Sequence, residues 1–419
     1  MSKRILIMPD GNWLSHTSRA LEIAKVLRET GHEVIFAIDG PYTRLAQENG
    51  FEIITIQTID PERILACSRD SRTNWYEYDF IKTSVEAELK LFDELRPNLV
   101  LMDFRLTLSI SCELANIPLA VILNTSWTNF YTVNHGAPES HGLSKIFDKS
   151  ITDQYASLLR KKILERDNRP FNKFRKEVGL PPRENILDTW RGDLNLLADL
   201  PEYGPTENLP GHYKYIGPIV WEPEIELPDW YESLDPQKPT LYFSMGSTGF
   251  KRFFDQAVEI FKNSDYQCIM TTAGMVKIPD VPDNFFVVDY APGSKIMEIS
   301  DVVICHGGNG TVYQAMIQGT PIIGIPTMHD QEFNLDRVES LGIGIRLSEV
   351  NYQPEHLEAA VKKVLAEKHF KENALRFKNM LKDFNGPLAG AQLIDAFLHG
   401  NPLPDTKVIK ARKASVATV

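Results

Sequence analysis

Long apolar runs are missing from this 419-residue chain. The N-terminal stretch Ile5–Met8 is too short for a secretory leader core and stops at Pro9-Asp10-Gly11, so the chain is expected to stay in the cytoplasm without membrane association. Cysteine is scarce and scattered: Cys67, Cys112, Cys268 and Cys305 stand singly, without the close pairing of a zinc site or redox pair. Buried, reduced thiols are expected. A basic excess is also missing, because 45 Lys and Arg face 56 Asp and Glu for a formal net charge of -11. That balance argues against a phosphate-tracking nucleic-acid binder and leaves room for one local anion site. No short tandem repeat occurs. No G-x-G-x-x-G follows the first apolar run, which removes the main support for nicotinamide binding.

What is present is an ordinary globular balance, 43% apolar and 24% charged, in a chain long enough for two domains. Ile5–Met8, then Ala20, Ile23, Ala24 and Leu27 at helical spacing, then Gly31 and Val34–Ile38 form a strand–helix–strand opening. Phe51–Ile56, Leu99–Met102 and Leu119–Leu123 alternate with helical stretches such as Glu86–Leu95, as a doubly wound parallel sheet requires. A second series holds Leu241–Phe243, Cys268–Thr271, Phe285–Val288, Val302–Ile304 and Pro321–Ile325. The boundaries read as a first α/β domain over 1–205, a Pro-, Gly- and Trp-rich linker over 206–238 and a second α/β domain over 239–385. A helix over 386–400 then crosses back to the first domain, and the tail over 401–419 is expected to be disordered.

In open α/β sheets ligands bind beyond the carboxyl ends of the strands. Five polar groups fall there: Asp10–His16, Asp103, Ser244–Thr248, His306–Thr311 and Asp330-Gln331. The densest, His306-Gly307-Gly308-Asn309-Gly310-Thr311, is a glycine-rich turn entering a helix, where bare backbone and helix N–H groups attract phosphate. Ser244-Met245-Gly246-Ser247-Thr248 is a second small, hydroxyl-rich turn able to hold a phosphate oxygen.

Taken in order and spacing with Tyr290-Ala291-Pro292 and Asp330-Gln331, these elements resemble the donor half of the family 1 glycosyltransferases, the UDP-glycosyltransferase superfamily. The resemblance implies the GT-B fold, two facing Rossmann-like domains with an interdomain cleft. It also implies transfer of a hexose from a nucleotide diphosphate sugar, a UDP-sugar by family habit or a dTDP-sugar, to a small acceptor. On that footing Tyr290, Ala291 and Pro292 hold the base. Ser244, Gly246, Ser247, Thr248, His306, Gly307, Gly308, Asn309, Gly310 and Thr311 hold the diphosphate, and Asp330 and Gln331 hold the sugar. Gln314 stands where many members have a ribose-binding Glu, which opens the choice between UDP and dTDP.

The same resemblance makes His16 the general base and Asp103 the carboxylate that orients it, for an inverting reaction; Asp10, in the same loop, is the alternative base. Ser15 and Arg19 depart from the family's usual Gly and Pro. No cofactor or metal is expected, since no short D-x-D pair lies near the donor elements. Trp13, Trp127 and Phe130 suggest an apolar or aromatic, natural-product-like acceptor, and the chain is expected to act as a monomer or homodimer. Two rival readings stand beside this one: a GT-B nucleotide-sugar epimerase or hydrolase, and a catalytically idle partner protein that only binds the nucleotide sugar.

Overall fold

A computed structural model describes residues 2–69, 75–136, 139, 149–246, 251–274 and 276–410. The chain divides into two compact units. Unit 1 holds a seven-stranded sheet ordered β3-β2-β1-β4-β5-β6-β7. Its strands are β1 (Arg4–Pro9), β2 (Glu33–Ala37), β3 (Glu52–Ile54), β4 (Leu99–Asp103), β5 (Leu119–Leu123), β6 (Leu194–Leu197) and β7 (Tyr213–Tyr215). Its first helices are α1 (Leu14–Glu29), α2 (Thr43–Glu48), α3 (Pro61–Arg69), α4 (Tyr78–Leu95), α5 (Leu108–Ala115), α6 (Lys149–Asp167) and α7 (Arg169–Glu177).

All pairings are parallel, with Ile5 opposite Leu99 and Pro9 opposite Asp103 across β1 and β4. The pleat sends Leu6 and Met8 to one core and Ile5 and Ile7 to the other, so both faces of the sheet are covered. That is why these strands read as continuous apolar runs. Each fully buried Ile or Leu contributes about 1.5–3 kcal/mol. On α1, Ala20, Ile23, Ala24 and Leu27 are buried as the helical spacing predicts.

Unit 2 repeats the design in a six-stranded sheet ordered β10-β9-β8-β11-β12-β13. The strands are β8 (Thr240–Ser244), β9 (Gln267–Thr271), β10 (Phe285–Val288), β11 (Val302–Cys305), β12 (Ile322–Gly324) and β13 (Gly344–Arg346). The helices are α8 (Lys251–Phe261), α9 (Gly293–Ile299), α10 (Asn309–Gln318), α11 (His329–Ser340), α12 (Pro354–Ala366) and α13 (Lys368–Leu381). A last helix, α14 (Gly386–Leu398), returns to unit 1 and packs on α1 through its buried Ala389, Ala391, Leu393 and Ile394.

Three boundaries differ from the sequence reading. The 206–238 linker is no separate element: residues up to Trp221 join unit 1, where β7 forms the sheet edge, and those from Glu222 join unit 2. Glu139, inside the first expected domain, groups with unit 2. It lies 3.2 Å from the Arg346 guanidinium and accepts the Ser348 hydroxyl at 2.6 Å. Residues 401–410 are not a disordered tail. The exposed edge of β7 needs backbone partners; Tyr215 donates to the Lys407 carbonyl at 2.7 Å and accepts from Ile409 at 2.8 Å. The buried Lys214 ammonium donates to the Pro404 and Thr406 carbonyls. The rest of the expected tail, 411–419, lies outside the described residues.

Candidate active site

In unit 1 the strand order reverses between β1 and β4, and their carboxyl ends carry the first cluster. Asp10 extends β1, its N–H bonded to the Asp103 carbonyl at 3.0 Å. The loop turns through Asn12 and Trp13 into α1, which places His16 in the first helical turn. His16 Nδ1 lies 2.7 Å from Asp103 Oδ1. Arg19, three residues on and therefore on the same helix face, donates Nε to Asp103 Oδ2 at 2.9 Å and Nη2 to Oδ1 at 2.8 Å. Asp103 is 1% exposed, while the His16 side chain keeps 19% of its surface.

Because a carboxylate only accepts, the shared proton belongs on Nδ1, and Nε2 retains its lone pair. Phe104 lies flat on the imidazole, ring centroids 4.5 Å apart and planes 10° from parallel. Its backbone adopts φ 67°, a left-handed conformation that costs a non-glycine residue about 1 kcal/mol or more and turns the ring onto His16. Asp10 differs from His16 in access. It is 1% exposed, accepts from Asn12 N–H at 3.0 Å and from the Thr58 hydroxyl at 3.1 Å, and burial pushes its carboxyl above the usual range.

In unit 2 the order reverses between β8 and β11, with Ser244 opposite Cys305. His306 leaves β11 and its ring fills the space between two glycines. A Cβ on Gly246 would meet His306 Cε1 at 2.6 Å, and one on Gly308 would meet Nε2 at 2.6 Å. Gly246 also has φ 59°, which disfavours any side chain there. Burial pushes the His306 imidazole down to about 4, against a smaller upward pull from the Ser244 backbone, so it is neutral near pH 7. Gly308 is the N-cap of α10 and has no side chain to cap the first turn, Asn309-Gly310-Thr311. Asn334 Nδ2 ties the Gly307 carbonyl at 2.9 Å and steadies the turn.

Further along the same sheet edge, Tyr290 is 60% exposed with its hydroxyl on the Ala273 carbonyl at 3.0 Å. Ala291 is buried and Pro292 caps α9. A Cβ on Gly293 would lie 3.6 Å from Gln314 Oε1 and 3.8 Å from Glu222 Oε1, so an amide and a carboxylate flank that glycine. Both Glu222 oxygens accept from Ser294, Oε1 from its N–H at 2.6 Å and Oε2 from its hydroxyl at 2.5 Å.

A family model described as the C-terminal domain of erythromycin biosynthesis protein CIII-like proteins matches residues 256–386. A PGL/p-HBAD biosynthesis glycosyltransferase of Mycobacterium tuberculosis strain H37Ra is 32% identical over 389 residues, covering 92% of this chain and 90% of the relative. The chain belongs to the family 1 glycosyltransferases. A PGL/p-HBAD biosynthesis rhamnosyltransferase of Mycobacterium bovis strain BCG Pasteur is 31% identical over 89% of this glycosyltransferase and 83% of the relative. Among solved structures, a spinosyn rhamnosyltransferase superposes with a TM-score of 0.70 at 18% identity, over 94% of this chain and 99% of that one. The same spinosyn enzyme has been solved with thymidine diphosphate. The fold is GT-B.

The remaining expected site residues of this glycosyltransferase divide. Asp330 is exposed in the first turn of α11, but Gln331 is buried and its amide oxygen accepts from Thr327 N–H at 2.8 Å and Oγ1 at 3.0 Å. That engagement makes Gln331 a brace of the loop before α11. Ser247 and Thr248 lie outside the described residues. Trp13 caps α1 and packs against one core of unit 1. Trp127 stands 4.9 Å from Trp190 and 6.3 Å from Trp75, and both of those rings reach Phe104, at 5.8 and 5.3 Å. Phe130 packs 5.2 Å from Tyr213. Sequence reasoning missed the parts of Arg19, Phe104, Trp75, Trp190 and Glu222. The His16-to-Arg19 spacing was a readable signal; the others are assembled by the sheet and have none.

Proposed function

We propose that this glycosyltransferase is inverting, with His16 as the base and a nucleoside diphosphate hexose as donor. The observation that carries the reading is His16 Nδ1 at 2.7 Å from buried Asp103, in a side chain that keeps 19% of its surface while Asp10 is enclosed. Asp103 holds the tautomer, and Nε2 removes the acceptor hydroxyl's proton as that oxygen bonds the anomeric carbon and the bond from that carbon to the diphosphate oxygen breaks. The leaving diphosphate takes the bonding pair. Its charge is met by the neutral His306 as hydrogen-bond donor and by the uncapped first turn of α10.

The donor's nucleoside is read here as thymidine rather than the uridine of family habit. Gln314 offers one acceptor oxygen to a ribose, and the neighbouring carboxylate, Glu222, already accepts from Ser294 on both oxygens. A relative named as a rhamnosyltransferase and the thymidine diphosphate complex of the spinosyn enzyme support the same direction. The acceptor is a small apolar or aromatic alcohol or phenol, because Phe104 stacks on the His16 imidazole and, with Trp127, is a half-buried member of the same aromatic cluster.

The test is a matrix of UDP- and dTDP-hexoses against phenols and aliphatic alcohols, read by mass spectrometry, with the anomeric configuration of the product assigned by NMR. The expected outcome is an inverted glycoside with higher kcat/KM for dTDP donors. Retention of configuration would overturn the mechanism. Isomerised donor without acceptor would favour the epimerase, and binding without turnover the idle partner.

A further inference from the structure

Two side chains converge on the Asp103 carboxylate, and one of them carries a charge that an Asp–His pair does not need. Arg19 places Nε on Oδ2 at 2.9 Å and Nη2 on Oδ1 at 2.8 Å, sharing Oδ1 with His16 Nδ1 at 2.7 Å. Nη2 is then 3.3 Å from His16 Nδ1. Both nitrogens donate to Oδ1, so this approach is a cation beside the imidazole and not a hydrogen bond. The guanidinium is also held at its far end: Nη1 donates to Asn124 Oδ1 at 2.7 Å, and Asn124 Nδ2 donates to Asp199 Oδ1 at 3.0 Å. Asp199 in turn fixes Thr125 through its N–H at 2.7 Å and Oγ1 at 3.0 Å.

The charge inventory around the imidazole is short. Asp103 and Arg19 cancel when His16 is neutral, and proton uptake leaves the trio with one net positive charge in a largely buried place. From β1, Asp10 faces His16. Arg105, which acts on Asp10, is itself paired with Glu88 at 2.7 Å, and both are buried. No further charged group among the described residues is bonded to His16, Arg19 or Asp103.

We propose that Arg19 is a positioning residue of proton transfer: its fork fixes Asp103 against His16, and its charge offsets the carboxylate beside the imidazole. The proposal rests on His16 as the base and deepens that reading. With its guanidinium held by Asp103 and Asn124, Arg19 acts through Asp103.

The experiment compares Arg19→Gln with Arg19→Lys in the full chain. Two readouts are taken: the pH profile of kcat/KM, and a ring-carbon NMR titration of His16 in protein without substrates. In Arg19→Gln the imidazole midpoint and the acid limb are both expected to rise by roughly one pH unit or more, the effect of removing one nearby charge. In Arg19→Lys the charge remains and the fork is lost, so the midpoint stays near wild type while kcat falls by about tenfold. Arg19→Met, similar in length and uncharged, replaces Arg19→Gln should that variant fail to fold. An unmoved midpoint in a folded uncharged variant overturns the proposal. A midpoint that moves while the kinetic limb stays put upholds the charge effect and removes His16 as the base, so the two failures read differently.

Discussion

In unit 1 the end of β4 and the loop after β1 gather Asp10, His16, Arg19 and Asp103, whereas the strand switch of unit 2 gathers Gly246, His306 and Gly308. Strand order reverses at the same place in both sheets. The difference lies in what projects from that place. A proton-transfer site needs long side chains aimed at one another, and a helix such as α1 supplies them at three-residue spacing. An anion site needs bare backbone, and here side chains are excluded because the His306 ring already occupies the space a Cβ would take. Each unit has one histidine at its switch, with opposite surroundings: His16 beside a carboxylate and partly exposed, His306 buried and neutral.

The sharpest break of this comparison exchanges which kinetic constant suffers. His16→Ala is expected to lower kcat by roughly 10²–10⁴ with donor affinity unchanged. Asp103→Asn acts in the same direction, and the two losses do not add, since both residues serve one proton transfer. Stopped-flow kinetics with calorimetric donor binding checks it; near-wild-type kcat in His16→Ala with collapse in Asp10→Asn would transfer the role to Asp10.

The pH dependence of stability separates the two edges by sign. The unfolded His306 titrates near 6.5 and the folded one near 4, so between those values only the unfolded chain binds the proton. Stability therefore falls as pH drops below 6.5 and levels off below about 4, a loss of up to about 3 kcal/mol that His306→Gln should abolish. Asp10 works the other way. Its raised carboxyl binds a proton more tightly in the folded chain, giving stability that is present at low pH and lost as pH rises through its folded value. Urea melts across pH for His306→Gln and Asp10→Asn should show slopes changed in opposite directions; changes of the same sign would refute the contrast.

On the donor side, His306→Ala is expected to weaken nucleotide-sugar binding by roughly 1.5–3 kcal/mol, the worth of a hydrogen bond to a charged group, with kcat less affected than in His16→Ala. Unchanged calorimetric affinity would take His306 out of the site. The smallest effect tests the cradle itself. Gly308→Ala keeps an ordinary backbone, φ -60°, but places a Cβ 2.6 Å from His306 Nε2. It should destabilise the protein by about 1–3 kcal/mol in wild type and by much less when combined with His306→Ala, where the clash is gone. Additive losses in that cycle would mean that the ring does not dictate the glycine.

Local chemistry made part of this legible. The strands Ile5–Met8, Leu99–Met102 and Val302–Ile304 read correctly because a parallel strand buried on both faces is a continuous apolar run. The glycine-rich turn at His306 was visible because conformational freedom and bare backbone are properties of adjacent residues. By contrast β7 is the three-residue segment Tyr-Lys-Tyr, too short for an apolar run or a period to show. Its existence depends on β6 on one side and on residues 407–409 on the other. The resemblance made Asp330 and Gln331 sugar ligands alike, but helical geometry turns adjacent side chains about 100° apart, and Asp330 faces solvent while the Gln331 amide oxygen accepts from Thr327.

By itself, then, the sequence determined two doubly wound domains, the edge of each sheet that carries chemistry, and the residue types available there, because these follow from periodicity and from properties of short segments. Tertiary structure decided which of those residues meet. Asp103 lies 87 positions from His16, and Asn124 lies 105 from Arg19. Only the pairing of β1 with β4 and of β4 with β5 brings them within hydrogen-bond reach, since register across a sheet is set by the whole packed core and not by any local stretch.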